Sequence, residues 1–173
     1  MITQAKFEKV SFEQFYKDFM KHISRFILHE NVDEVFVKRI YDKIELPTRA
    51  TQKSAGYDFK MPISFVFEPN DKYIIPTGIR CVNMEDDMVL EIYPRSGLGF
   101  KYGFRLNNTV GIIDADYESA DNEGHIMVCV KNDERVKIEQ GKGFCQGIFI
   151  KYYTLEDDNT YAFRTGGIGS TDN

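Results

Sequence analysis

Three cysteines, three histidines and no long apolar run set the first limits on this chain of 173 residues. An odd number of cysteines with no CxxC pair excludes a closed disulfide framework and a zinc site of the usual spacing. Cys81, Cys129 and Cys145 each fall in a strand-like apolar stretch, which fits reduced, buried thiols in a cytoplasmic protein. His22, His29 and His125 lack metal-ligand spacing and are read as structural or exposed. No apolar run approaches the roughly 18 residues that span a bilayer, so no membrane association is expected. The amino terminus has no basic stretch leading into an apolar one, so no secretory signal is expected. An excess of positive charge is also missing. With 22 Lys and Arg against 27 Asp and Glu, the net charge is −5. That argues against nucleic-acid backbone binding but leaves room for a free nucleotide held by a few local arginines. There is no internal repeat and no low-complexity segment.

What is present suits one domain with a sizeable core, since 42% of the residues are hydrophobic. Within residues 1–34, Ser11 stands three residues before Gln14 in the manner of a helix cap. Phe12, Phe15, Phe19, Ile23 and Phe26 then recur at helical spacing through about His29. One amphipathic helix is predicted there. From Val35 the texture changes to short runs, VFVKRI, YIIPTGIRCV, MVLEIY, HIMVCV and FCQGIFIKYY, separated by Gly, Pro, Asn and Asp. Residues 35–163 are therefore read as an all-β domain, a barrel or jelly roll. Residues 164–173 are too glycine-rich for a strand of their own and are expected to form a flexible arm that orders only against something else.

The densest chemistry is GIIDADY, Gly111 to Tyr117. Val110 to Ile113 and HIMVCV read as the two strands of a hairpin, with an acidic, glycine-bearing turn between them. Asp114 would then end a strand, where a rigid ladder can aim a carboxylate at a bound substrate. Alone, an Asp-x-Asp beside a turn is ordinary solvated turn chemistry. Its companions change the weighing: AGYD at Ala55–Asp58, PRSGLG at Pro94–Gly99, GKGFCQ at Gly141–Gln146 and RTGGIGST at Arg164–Thr171. PRSGLG offers a guanidinium, a hydroxyl and a glycine amide, the equipment of an anion nest, though it also reads as a polar turn after a strand. In order and spacing, from about Val35 to Thr171, these segments resemble the trimeric dUTP diphosphatases.

The resemblance implies a β-clip, jelly-roll-like barrel. It also implies a homotrimer with active sites shared between subunits, and hydrolysis of dUTP to dUMP and pyrophosphate with Mg2+ as cofactor. By the same resemblance Asp114 deprotonates the water that attacks the α-phosphorus. Arg95, Ser96, Gly97 and Gln146 contact the phosphates, Ser96 near the bridging oxygen that leaves. Asn108 and the backbone of Gly111, Ile112 and Ile113 line a slot for uracil, and Tyr117 packs against the deoxyribose. Asp58 reaches the metal through a water. In the arm, Arg164, Ser170 and Thr171 suit a γ-phosphate, Gly167 lets the backbone close over the nucleotide, and Ile168 covers the base.

The chain departs from the family pattern in four places. Gly143 stands where an arginine is usual, the turn ESADNEG after Tyr117 is longer, the arm is one residue tighter with Ile168 in place of an aromatic, and the amino-terminal helix has no counterpart. Two other readings stay open. A dCTP deaminase shares the fold, but its hairpin aspartate is followed by Pro-Gly-Trp and it needs a glutamate on the next strand; here Asp116 and Tyr117 follow, and HIMVCV has no carboxylate. A nucleotide-gated regulatory binding protein would use the amino-terminal helix as a docking surface.

Overall fold

The computed structural model describes residues 4–27, 31–160, 162, 164 and 166. After strand β1 (Lys6–Lys9) comes helix α1 (Phe12–His22), started as its sequence predicts: the Ser11 hydroxyl accepts a hydrogen bond from the Gln14 amide at 3.1 Å. Phe15 and Phe19 are fully buried on its inner face. The helix stops earlier than its apolar spacing suggests. Ser24 turns its hydroxyl back onto the Met20 carbonyl at 2.6 Å, and Ser24–Phe26 tightens into a 3-10 turn. His29 lies outside the described residues.

The run VFVKRI is not a strand. It forms most of helix α2 (Glu34–Asp42), capped by the Asp33 carboxylate, which accepts from the Phe36 amide at 2.8 Å. The buried residues Val37, Ile40 and Ile44 are spaced three and four apart, a helical interval that a run this short leaves ambiguous between helix and strand. Tyr41 then packs edge-on to Phe12 and donates to the Val10 carbonyl at 2.6 Å, joining α1 to α2.

The remaining strands are β2 (Thr48–Arg49), β3 (Tyr57–Lys60), β4 (Phe65–Phe67), β5 (Lys72–Pro76), β6 (Ile79–Val82), β7 (Met88–Pro94), β8 (Arg105–Leu106), β9 (Gly111–Ile113), β10 (Met127–Lys131), β11 (Val136–Ile138) and β12 (Gly143–Lys151). A short helix, α3 (Ser96–Tyr102), follows β7. Every strand pair is antiparallel. The largest sheet runs β2-β3-β12-β7-β9, a second runs β5-β10-β8, and β1-β6 and β11-β4 form two-stranded ribbons, so the fold is the expected jelly-roll-like β architecture. Strand β10 alternates in the way a strand with one covered face must, Val128 and Val130 buried between half-buried neighbours. Each such valine contributes about 1.5–3 kcal/mol by leaving water. The two helices share one apolar core with the sheets, Phe15, Phe19 and Val37 belonging to the same cluster as Phe59, Phe67, Phe104 and Phe144.

The expected hairpin around Asp114 is absent. Strand β9 pairs with β7, while β10 pairs with β5 and β8, so the two runs belong to different sheets. The intervening residues are too many for a tight turn; they form a 3-10 turn at Ala115–Ser119 and a loop through Gly124. Among the described residues no helix is long and apolar enough to cross a membrane. The three cysteines are free. Burial pushes the Cys81 thiol up to about 12 and raises Cys145 well above its ordinary value, so both stay protonated.

Candidate active site

The residues singled out in the sequence gather in two places. The first is the corner where β3, β12 and the end of β7 meet. Asp58 on β3 pairs directly across from Gln146 on β12, which in turn faces Tyr93 on β7. The Arg95 Nε lies 3.4 Å from Asp58 Oδ1, and the Gln146 amide nitrogen donates to the Pro94 carbonyl at 3.4 Å. Two glycines make room for these long side chains. A Cβ on Gly143 would sit 2.7 Å from the Arg95 guanidinium, and one on Gly56 would sit 2.2 Å from Gln146 Oε1. The missing arginine at position 143 thus has a steric counterpart: Arg95 lies over the space that a side chain there would fill. Arg95, Ser96 and Gly97 are exposed, and Ser96 and Gly97 open helix α3, where the first amides have no intrahelical acceptor.

Among the described residues no three His, Cys, Asp or Glu side chains converge on a metal-sized space. The corner holds the Asp58 carboxylate beside Arg95 and the Gln146 amide. Such a site cannot cage a cation alone, but it suits magnesium that keeps its waters and bridges substrate phosphates.

The second place is a cavity of about 700 Å³. Asn108, Gly111, Ile112, Ile113, Asp114, Tyr117 and Arg164 line it. Strand β9 ends the large sheet, and among the described residues its outer edge has no strand partner. Asp114 follows the last residue of β9 and begins the 3-10 turn that carries Asp116 and Tyr117. The Tyr117 ring is buried; its hydroxyl donates to the His125 carbonyl at 3.1 Å and accepts from Asn122 Nδ2 at 2.9 Å. Burial raises the Tyr117 pKa, so the hydroxyl keeps its proton. Arg164 reaches Asp114 Oδ2 at 2.5 Å and Asp116 Oδ1 at 2.8 Å, with its guanidinium over the Tyr117 ring. Gly167, Ile168, Ser170 and Thr171 lie outside the described residues.

One chain does not bring the two places together. Asp114 stands level with Val89, one step past the Ile113–Leu90 pair, whereas Gln146 pairs with Tyr93. That offset along β7 is about 13 Å, and with β7 lying between, the two groups are about 16 Å apart by strand geometry.

Sequence reasoning missed the cavity's other wall, which is helix α1: Gln14, Lys17, Asp18, Lys21 and His22 face the same space. A signal was present. Asp18 sits between Phe15 and Phe19 on the apolar face of the helix, and a carboxylate there needs a buried partner. The partner is His125, its Nδ1 2.6 Å from Asp18 Oδ2, with Gln14 Nε2 donating to the same oxygen at 2.8 Å. Burial pushes the Asp18 carboxyl up, but these hydrogen bonds outweigh it and hold the pKa below its ordinary value. Two buried polar atoms at this wall, His22 Nε2 and Asn122 Oδ1, have no hydrogen-bond partner among the described residues.

A protein-family model described as dUTPase matches residues 42–172. A deoxyuridine 5'-triphosphate nucleotidohydrolase of Lactococcus lactis is 40% identical over 143 residues, covering 80% of this chain and 95% of that protein. A protein of the same description from Haemophilus influenzae is 36% identical over 145 residues, covering 79% and 93%. The crystal structure of a dUTPase from Streptococcus mutans superposes with a TM-score of 0.59 at 35% identity, covering 66% of this chain and 91% of that one.

Proposed function

This chain belongs to the dUTPase family, and from that premise we infer that it hydrolyses dUTP to dUMP and pyrophosphate by attack of water at the α-phosphorus. The observation that carries the reading is the placement of Asp114. It follows directly on the β9–β7 ladder, at the end of a strand edge that lines a nucleotide-sized cavity beside a buried tyrosine. A carboxylate so held takes a proton from the attacking water, help worth about a factor of 10² to 10⁴. The outer edge of β9 offers alternating amides and carbonyls to the edge of uracil, with Asn108 beside it. Cytosine would leave those groups unpaired, which polar sites reject strongly. Tyr117, its hydroxyl turned inward to His125, presents its ring to the sugar and leaves no room for a 2′-hydroxyl.

The phosphates fall to Arg95, Ser96, Gly97 and Gln146, and the 16 Å gap within one chain supports a homotrimer in which that corner comes from a neighbouring subunit. Asp58 would hold magnesium through a water, and the ion would supply charge neutralisation to the phosphate oxygens. Arg164 now engages Asp114 and Asp116. With substrate present the guanidinium moves to the γ-phosphate, leaving Asp114 free to act as base, and residues 164–173 close as a lid.

The test is pyrophosphate release from each deoxynucleoside triphosphate by the purified full chain with magnesium. Release from dUTP alone is expected; equal release from dCTP, or ammonia release without pyrophosphate, would replace this reading with a different reaction.

A further inference from the structure

Two of the family departures, the amino-terminal helix and the long turn after Tyr117, meet in the structure as one device. The Glu123 carboxylate accepts from the Ser11 amide at 2.8 Å and from the Ser11 hydroxyl at 2.6 Å, completing the cap of α1 from the turn. About two turns of α1 further on, Asp18 meets His125. The Gly78 amide donates to His125 Nε2 at 2.8 Å, so that nitrogen carries no proton and Nδ1–H donates to the Asp18 carboxylate. Both ring nitrogens are thereby engaged, and His125 is wholly buried. Its carbonyl then receives the Tyr117 hydroxyl. Asn122, from the same turn, donates to both the Tyr117 oxygen and the His125 carbonyl. The path from helix to tyrosine is continuous: Asp18, His125 ring, His125 carbonyl, Tyr117 hydroxyl.

We propose that Asp18 and His125 are positioning residues for Tyr117, so that helix α1 sets the discrimination between deoxyribose and ribose; the inference rests on the role given to Tyr117 above. The physical argument is one of tolerance. Refusing a hydroxyl needs the blocking ring held within about 0.5 Å, and a ring anchored at one hydroxyl is only as fixed as the carbonyl that anchors it. Residues 120–124 form a turn, and the peptide that carries the His125 carbonyl is held beyond it by the Ile126 amide, which donates to the Ile79 carbonyl at 2.9 Å. The bonds on both ring nitrogens, to α1 on one side and to the β5–β6 turn on the other, clamp it.

The experiment compares kcat/KM for dUTP and UTP in Asp18→Ala, Asp18→Glu and Asp18→Asn. Asparagine can still accept from His125 Nδ1, so Asp18→Asn should keep the wild-type preference for dUTP. Alanine removes the acceptor and glutamate displaces it by one carbon, so both should lower the preference by about threefold to tenfold. If Asp18→Ala fails to fold, Asp18→Glu decides. An unchanged preference in the folded variants, whatever their loss of stability, would overturn the inference and reduce the Asp18–His125 pair to a structural tie. Tyr117→Ala separates the two levels: if it too leaves the preference unchanged, the role of Tyr117 fails and the inference with it. If it alone collapses the preference, only the inference fails.

Discussion

The corner of Asp58, Arg95 and Gln146 and the cavity around Tyr117 are held by different means. At the corner, strand pairing alone puts the groups side by side, the side chains are partly exposed, and small residues make room for long ones. The cavity depends on polar bonds between segments far apart in the chain, a half-buried one from Ser11 to Glu123 and a buried one from Asp18 to His125. The difference matches the tasks proposed for each. Phosphate charge is attracted at several ångströms and tolerates loose cations, whereas refusing one hydroxyl needs a wall that does not move. It also predicts how each region fails, the corner through affinity and the cavity through selectivity.

The largest effect belongs to the base. Asp114→Asn should abolish turnover, a loss of about 10² or more, while substrate binding stays within about tenfold because the amide keeps the shape. Retention of more than about a tenth of the activity would remove Asp114 from the reaction. Deleting residues 164–173 should lower turnover by about 100-fold with the trimer intact by light scattering. A full rate in the truncated protein would show that closure over the phosphates is not needed. At the cavity, Tyr117→Ala should shrink the preference for dUTP over UTP by about 10-fold, the equivalent of about 1–3 kcal/mol of steric exclusion. The corner should respond differently. Gly143→Ala places a methyl against the flexible end of Arg95, so it displaces the guanidinium and not the strand. KM for dUTP should rise about threefold or more without loss of selectivity, and an unchanged KM would mean that phosphate does not meet Arg95 where it now lies.

The smallest effect is on stability. Asp18 in the folded chain has its pKa held below the ordinary carboxylate value by His125 and Gln14 against the cost of burial. A depressed folded pKa means the contribution is complete above the unfolded value, near 4, and fades as pH falls through the folded one. Asp18→Asn should therefore cost on the order of 1–3 kcal/mol at pH 7, and the gap to wild type should narrow at pH 3. Denaturant midpoints at the two pH values measure this; a constant gap would mean that Asp18 carries no linked proton.

Much was legible in the chain because it is local. The cap at Ser11, the strand character of MVLEIY and HIMVCV, and the placement of Asp114 at a strand end follow from spacing and turn residues. The recognisable segments carried the family because each is a short run of consecutive residues whose order and spacing can be matched without the fold. VFVKRI was misread because six residues with apolar positions at both helical and strand intervals do not distinguish the two; the Asp33 cap and the packing of Val37 and Ile40 decided it. The hairpin was misread because strand partnership is a long-range choice: β9 pairs with β7, and both edges of β10 are taken by β5 and β8.

The sequence alone determined the β class, the free cysteines and the family, since these depend on residue type and short spacing. Tertiary structure decided the rest. Only the fold could show that Arg95 covers Gly143, that α1 walls the cavity, and that Asp18 finds a histidine 107 residues away. A buried carboxylate announces that it needs a partner, but the energy that chooses the partner is the packing of the whole core.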